Sequence, residues 1–599
     1  MKKNSLIPLL ACAAVFIPMI FTPSCANTTQ APSGGIKDTI PPVVLNVTPP
    51  SGGVQMPLKG LKIVLEFNEF VTVKNSSNVI MSPSLPHPPK CVIRGKSVVV
   101  SFEDSLSENT TYSISFDKAV ADLNEGNFLP GFTYVFSTGS RVDSMYVTGT
   151  VLSSKKMEPV KDVLVMFYKD LSDSAFLVSK PYACTKTDEW GYFSMAYLED
   201  TLYRVYAIGD ANNNMMYDAE TEEIGFIPGN LRPVTKVTDS LPDIMKFEAK
   251  DTVNCQSRKS QYDIILFREK PTKQFIEDSK RLSEKSALVK FFAPNVWIDS
   301  VWVPGFTADR LITKLNTEQD SLKLWINDPR PYTDTMHLFV AYRKTNSKNE
   351  LQADLEHLKL LLLDKDGKPV KKKSHQTVQK TDTVCLFDLT ANPRQVEETG
   401  VILSFEKPIV EENFKDIKFT LLNARQEEEA VKFNVEPDSL SVLRYVIRPV
   451  NPLVQGVDYY VKIPHHSFRD MDGYYSDSLD IKFTLPNKET MSSISLDIKN
   501  TEGSGYNIEL LDKNATNVIK SFWISADGKY DIFYLDKGEY CIRVTRDGNG
   551  NRMVDTGSVL EGRLPEKVRF FSIDGKKEIA VPENSEVIQE IDLAQIFND

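Results

Sequence analysis

Histidine and cysteine are scarce in this chain, with six and seven in 599 residues. The cysteines stand far apart at positions 12, 25, 91, 184, 255, 385 and 541, with no C-x-x-C pair among them. That spacing fits neither a zinc site nor a disulfide framework, so Cys91, Cys184, Cys255, Cys385 and Cys541 read as small apolar residues. No G-x-S-x-G, H-E-x-x-H or Cys/His signature surrounds His87, His337, His357 or His375, which leaves nucleophilic and zinc hydrolysis without machinery. No glycine-rich strand-to-helix loop offers a phosphate cradle. The net charge is -11 and the one basic run, residues 368–380 (KPVKKKSHQTVQK), reads as a loop. Backbone binding of nucleic acid needs a concentrated positive face, so nucleic acid is not an expected partner. Long apolar runs are also missing, apart from residues 6–21 near the N-terminus.

That run is informative. Lys2 and Lys3 precede it, Pro8 and Pro18 interrupt it, and Thr22, Pro23, Ser24 and Cys25 follow. It is too short for a comfortable membrane span and has the layout of a secretory signal. A cysteine directly after a small residue at its end resembles the bacterial lipoprotein signal, although Thr22 and Pro23 replace the usual residues. The resemblance implies lipidation of Cys25 and loss of residues 1–24. Each buried methylene contributes about 0.8 kcal/mol, so several acyl chains hold a protein on a bilayer. Residues 25–37, polar and small, then read as a flexible tether. The expected location is the outer membrane, with the periplasmic or surface face undecided because residues 26–30 carry no acidic cue.

The remainder has ordinary globular composition, with 41% hydrophobic, 25% charged and 10% aromatic residues. Its length points to several domains. Short alternating runs such as 61–67 (LKIVLEF), 98–102 and 112–116 are separated by Gly, Pro, Asn and Asp clusters, which predicts β-sandwiches. An ordered series follows: IKDTIPP at 36–42, PPSG at 49–52, EFNE at 66–69, SLSENTTYSI at 105–114, ADLNEGN at 121–127 and FSTG at 136–139. The series resembles the bacterial Ig-like domain at the start of Bacteroidota lipoproteins, over residues 38–140. Residues 401–405 (VILSF), 458–463 (DYYVKI) and the turn at 470–473 (DMDG) echo it, which suggests a second Ig-like domain at 388–487.

A further repeat lies at a constant offset of 337 residues. Gly191, Leu198, Tyr203, Asp210, Asn212, Asn214 and Asp218 match Gly528, Leu535, Tyr540, Asp547, Asn549, Asn551 and Asp555. Repeats of this kind mark duplicated modules. With VTGTV at 147–151 and DEWGYF at 188–193, each copy resembles a transthyretin-like or carboxypeptidase-regulatory-like sandwich, placed at 143–230 and 490–599. Residues 255–387 are expected to form a further β domain in which 272–284 is a short helix or an exposed linker. The fold class is therefore all-β, tandem Ig-like and transthyretin-like sandwiches behind a lipoprotein signal.

Both repeats carry the loop D-x-N-x-N-x-x-x-D. Oxygen ligands at positions 1, 3, 5 and 9 suit a calcium ion, which takes six to eight oxygens. Asp210, Asn212, Asn214 and Asp218, and Asp547, Asn549, Asn551 and Asp555, are the candidate ligands. Met215 and Arg552 replace the glycine of a standard calcium loop, and Thr221 and Ser558 its bidentate glutamate. Two carboxylates per loop imply a weak site; the plainer reading is a turn closed by Asn and Asp side chains. His465 and His466 near Asp470 and Asp472 read as a loop end, because neighbours on a strand diverge. Trp190, Trp297, Trp302, Trp325 and Trp523 read mainly as core, with sugar stacking as the other use of such rings.

The resemblances imply no enzymatic activity. The expected role is a non-catalytic scaffold or accessory subunit for protein partners at the outer membrane, in an assembly or secretion complex. The alternative is a surface adhesin or glycan-binding lipoprotein. A hydrolase hidden in 255–387 would need an Asp/Glu pair in one cleft, and no such pair is signalled.

Overall fold

The computed structural model describes residues 38–235, 260–363 and 384–597, apart from positions 75, 117, 329, 331, 333, 334 and 424. The signal, Cys25, the tether, Cys255, His375 and the basic run 368–380 lie outside the described residues. The regular structure of the described chain is nearly all β, and the chain falls into two compact units, one reaching Met145 and the other taking in nearly all that follows. Among the described residues no helix is long and apolar enough to cross a membrane.

In the first unit, strands Val44–Thr48, Lys62–Phe67, Ser97–Ser101 and Lys90–Arg94 form one sheet in that order. A second sheet holds Ile80–Ser82, Thr111–Ser115 and Thr133–Ser137. Period-two alternation sends Ile63, Leu65 and Phe67 inward, where they meet Val98, Val100, Tyr112, Ile114 and Phe136. The Tyr112 hydroxyl accepts the Ser107 N–H at 2.8 Å. Buried Asp122 closes the loop after the strand Val120–Asp122 by accepting the N–H groups of Glu125, Gly126 and Asn127.

The second unit contains four sandwich-like bodies. In the first of them, Tyr192–Leu198 and Met145–Ser153 pair in one sheet, and Ala183–Lys186, Leu164–Tyr168, Arg204–Ile208 and Ile224–Phe226 form the other. Its last strand is Tyr262–Leu266, which pairs in parallel with Met145–Ser153. The last body repeats the plan: Glu586–Asp592 pairs in parallel with Ser492–Lys499, opposite a sheet of Val518–Ile524, Gly505–Asp512, Gly538–Asp547 and Val568–Phe570. The first sandwich therefore extends beyond 230, into the stretch 255–387 that the sequence reading sets aside as a separate domain. The motif VTGTV explains the close fit. A Cβ on Gly149 would lie 2.5 Å from the Tyr262 carbonyl oxygen and against the Phe193 ring, so only glycine admits the parallel strand.

Between these sandwiches, Ile276–Ser283, Ser286–Phe291, Ser321–Ile326 and Leu311–Leu315 form one sheet. Ile298–Trp302, Met336–Thr345 and Leu351–Leu360 form another. Residues 276–283 are thus a strand rather than the helix or linker expected there. Its polar composition is misleading because Arg281 is buried, with its guanidinium donating to the carbonyls of Ser283, Glu284 and Tyr332. The body after it pairs Phe387–Thr390, Val401–Phe405, Arg444–Pro449 and Phe433–Pro437, against Lys418–Leu422, Asp458–Ile463 and Leu479–Thr484. Two details repeat the first unit. Tyr459 receives the N–H of Val454, five residues before it, as Tyr112 receives that of Ser107. Asp470 closes its turn on the N–H groups of Asp472 and Tyr474, as Asp122 does.

Candidate functional site

The two Asn-rich loops follow equivalent strands and close in the same way. In the first, the Asp210 carboxylate accepts the N–H groups of Asn214 and Met215, both at 3.1 Å. Asn212 Oδ1 accepts Asn214 N–H at 2.9 Å, Asn214 Oδ1 accepts Met216 N–H at 2.7 Å, and Asn212 Nδ2 donates to Asp218 Oδ2 at 2.6 Å. In the second, Asp547 accepts the N–H groups of Gly550 and Arg552 at 2.6 and 3.0 Å. Asn549 and Asn551 both donate to Asp555 Oδ2 at 2.7 Å, while their oxygens accept from Asn551 and Met553.

Each loop also rests on a glutamate that the repeat comparison misses, buried Glu222 in the first and half-buried Glu566 in the second. Glu222 Oε1 accepts Ala211 N–H at 3.0 Å and its Oε2 accepts Asp218 N–H at 3.1 Å. Glu566 does the same for Gly548 and Asp555, at 3.0 and 3.1 Å. Glu222 stands four residues after Asp218, whereas Glu566 stands eleven after Asp555, so a constant-offset comparison cannot align them. Burial pushes both carboxyls above their usual range, neighbouring aspartates add to the rise, and the two backbone donors oppose it.

All four proposed ligand positions of each loop are thus brought together, but by hydrogen bonds within the loop. Among the described residues no three His, Cys, Asp or Glu side chains converge as a metal cluster. For a cation to be held, the Asn amides that now donate to Asp218 and Asp555 would have to turn their oxygens inward.

The loops belong to a wider set of contacts inside the second unit. Glu269 joins the two related sandwiches: its Oε2 accepts the Tyr217 hydroxyl at 3.1 Å and its Oε1 accepts Val559 N–H at 2.7 Å. Beside it Thr556 donates to the Arg268 carbonyl at 2.7 Å, and a Cβ on Gly557 would strike the Phe267 ring at 2.5 Å. Arg394 holds Asp536 with a two-pronged pair at 2.8 and 3.0 Å. Lys285, 7% exposed, binds Asp472 and donates to the Asp328 carbonyl at 2.6 Å, while Lys407 approaches the other Asp472 oxygen at 3.0 Å.

The remaining candidates disperse. His465 and His466 lie in a turn, where His465 pairs with Asp477 at 3.0 Å. Trp325 is core, and Trp190 and Trp523 sit in different sandwiches. Trp297 and Trp302 stand at the two ends of the strand Ile298–Trp302, beside Met336–Thr345, but Trp302 spends a ring face on Phe339 at 5.2 Å and Trp297 lies beneath Arg343. Cys184, Cys385 and Cys541 are buried and Cys91 half-buried. Burial pushes the Cys91 thiol up to about 11 and Cys385 up to about 12, which makes both poor nucleophiles.

Residues 38–138 match the family described as bacterial Ig-like domain. No curated protein gives a significant match. Solved structures that match include the BcpA major pilin subunit of Bacillus cereus, at 9% identity over 75% of this chain and 99% of that one, with a TM-score of 0.16. The Bacillus anthracis TIE protein matches at 8% identity over 94% and 76%, with a TM-score of 0.14. The surface layer protein SbsC, domains 1–6, matches at 9% identity over 92% and 68%, with a TM-score of 0.13. Scores this low put no constraint on function.

Proposed function

We propose that this chain is a lipid-anchored, non-catalytic protein of the cell envelope, held at the outer membrane through Cys25. There it serves as a scaffold or accessory subunit for protein partners, in an outer-membrane protein assembly or secretion complex. The supporting observation is the use to which charged groups are put within the second unit. Lys285 with Asp472, Arg394 with Asp536, and Glu269 fasten one sandwich to another, and Lys407 holds Asp472 from within its own sandwich. Bodies joined in this way present loops and sheet edges in a fixed arrangement, which suits multi-point contact with a partner. The bacterial Ig-like match beginning at residue 38, shortly after Cys25, supports envelope placement.

The test is affinity isolation from gently solubilised membranes followed by mass spectrometry, with a Cys25→Ala variant alongside. Co-isolation of an outer-membrane β-barrel, and release of the variant from the membrane fraction, are expected. Recovery of the unmodified chain as a lone monomer would overturn the scaffold role, and an unlipidated Cys25 the anchor. The adhesin or glycan-binding alternative has Trp297 and Trp302 in its favour, two exposed rings beside one strand, with Trp297 68% exposed. Binding to a polysaccharide array would decide for it.

A further inference from the structure

The outer face of the sheet Ile298–Trp302, Met336–Thr345 and Leu351–Leu360 carries a row of stacked rings. Trp302 lies on Phe339 with 4° between the planes, and Phe339 lies on His357 at 4.3 Å and 3°. His357 is Phe339's direct cross-strand partner, so the sheet register itself brings these rings together. At the end of the row stands His337, whose Nδ1 is 2.8 Å from His357 Nε2. Two imidazoles meeting nitrogen to nitrogen on an exposed sheet face are unusual material for a scaffold that has so few histidines.

From this geometry we infer that His337 and His357 form a two-point site for a divalent late transition-metal ion of the nickel, copper and zinc class. Imidazole nitrogen suits these ions. Two nitrogens each about 2.0–2.1 Å from one ion, at roughly a right angle, lie about 2.9 Å apart; the observed 2.8 Å, with ring centres 5.0 Å apart, has the nitrogens facing each other, so the spacing suits one ion once each ring swings in its own plane to face it. Stacking on Phe339 holds the His357 ring in plane before any ion arrives, which lowers the ordering cost of binding. In the neutral pair one ring donates its proton to the other. Binding moves that proton to the far nitrogen of the same ring, so each histidine presents a lone pair and none is lost to solvent. Two protein ligands leave the other coordination positions to water. Lys359, the cross-strand partner of His337, opposes the charge of the ion and sets the affinity below that of a closed site.

Calorimetric titration of the full chain with Ni²⁺ at neutral pH tests the assignment. His337→Gln and His357→Gln each remove one of two linked contacts and should weaken the site at least about tenfold, the loss expected when chelation becomes single-point binding. His465→Gln combined with His466→Gln should leave it unchanged. Bound Cu²⁺ should show paramagnetic resonance coupling to two imidazole nitrogens in the parent chain and to one in either single variant. Both substitutions are on the outer face, and circular dichroism verifies their folding. Titration curves for His337→Gln and His357→Gln that overlay the parent would overturn the proposal.

Discussion

Lys285 and Asp472 lie 187 positions apart in the chain and meet as an ion pair in which the lysine is almost wholly withdrawn from water. Lys407 completes the group from the other side of the same carboxylate. Removing the shared anion leaves two ammonium groups facing each other without the charge that joins them, although Lys285 still donates to the Asp328 carbonyl. Asp472→Asn is therefore expected to destabilise the second unit by about 2 kcal/mol, below the range for a fully buried pair because this one is partly wet. Thermal unfolding measures the loss, and limited proteolysis should show faster cutting near 328 and 470.

The same carboxylate sets a pH dependence. Burial raises its pKa, but the two lysines more than offset this and hold it below the ordinary value. Stability from a depressed carboxyl is present above the unfolded value, about 3.9, and is lost as pH falls through the folded one. The junction should accordingly hold at pH 5 and loosen in stronger acid. The Asp472→Asn variant should lack that acid transition.

Glu269 offers a separate test of the contact between the related sandwiches. Glu269→Ala leaves the Tyr217 hydroxyl and the Val559 N–H without their acceptor, at a cost of about 1–3 kcal/mol. Hydrogen exchange should speed up together at 210–218 and 556–560, two segments far apart in sequence. Faster exchange in only one of them would refute the coupling.

Calcium is the outcome to measure at the Asn-rich loops. Glu222 and Glu566 are raised in the folded state, so they add stability below the unfolded value, about 4.3, and lose it as pH rises through the folded value. A cation bound to the loop would relieve that strain at neutral pH. The expected result is a higher melting temperature in millimolar Ca²⁺ than in chelator, with the gap shrinking in acid. Equal melting temperatures would leave the turn as the whole account of the loop.

Gly149→Val should open the parallel pairing between Met145–Ser153 and Tyr262–Leu266, since its side chain would occupy the space of the Tyr262 carbonyl. Overpacking of this kind costs about 1–3 kcal/mol or more. Melting of the variant, with exchange read at 262–266, checks it.

Strands were the most legible part of the sequence, because one buried face per sheet imposes alternation: LKIVLEF, VILSF and DYYVKI all became strands within a residue of their expected ends. Residues 276–283 were not legible, since their inward position is an arginine satisfied by carbonyls that only the fold supplies. The Asn-rich loops could be found from their repeat, whereas Glu222 and Glu566 could not, because loops of unequal length deliver them. The closing strand at 262–266 was hidden for a related reason: its partner Met145–Ser153 is more than a hundred residues upstream. Nor does any local pattern announce that His357 will meet His337 across a hairpin.

That closing strand bears on the order of events during synthesis. Until residue 266 has emerged, the first sandwich of the second unit exposes the hydrogen-bonding edge of Met145–Ser153 that Tyr262–Leu266 will occupy. A growing chain would carry this half-finished edge while more than a hundred further residues are made. Bare edges recruit other strands, so the interval is when the protein is most open to mispairing, and a holding chaperone would be most useful then.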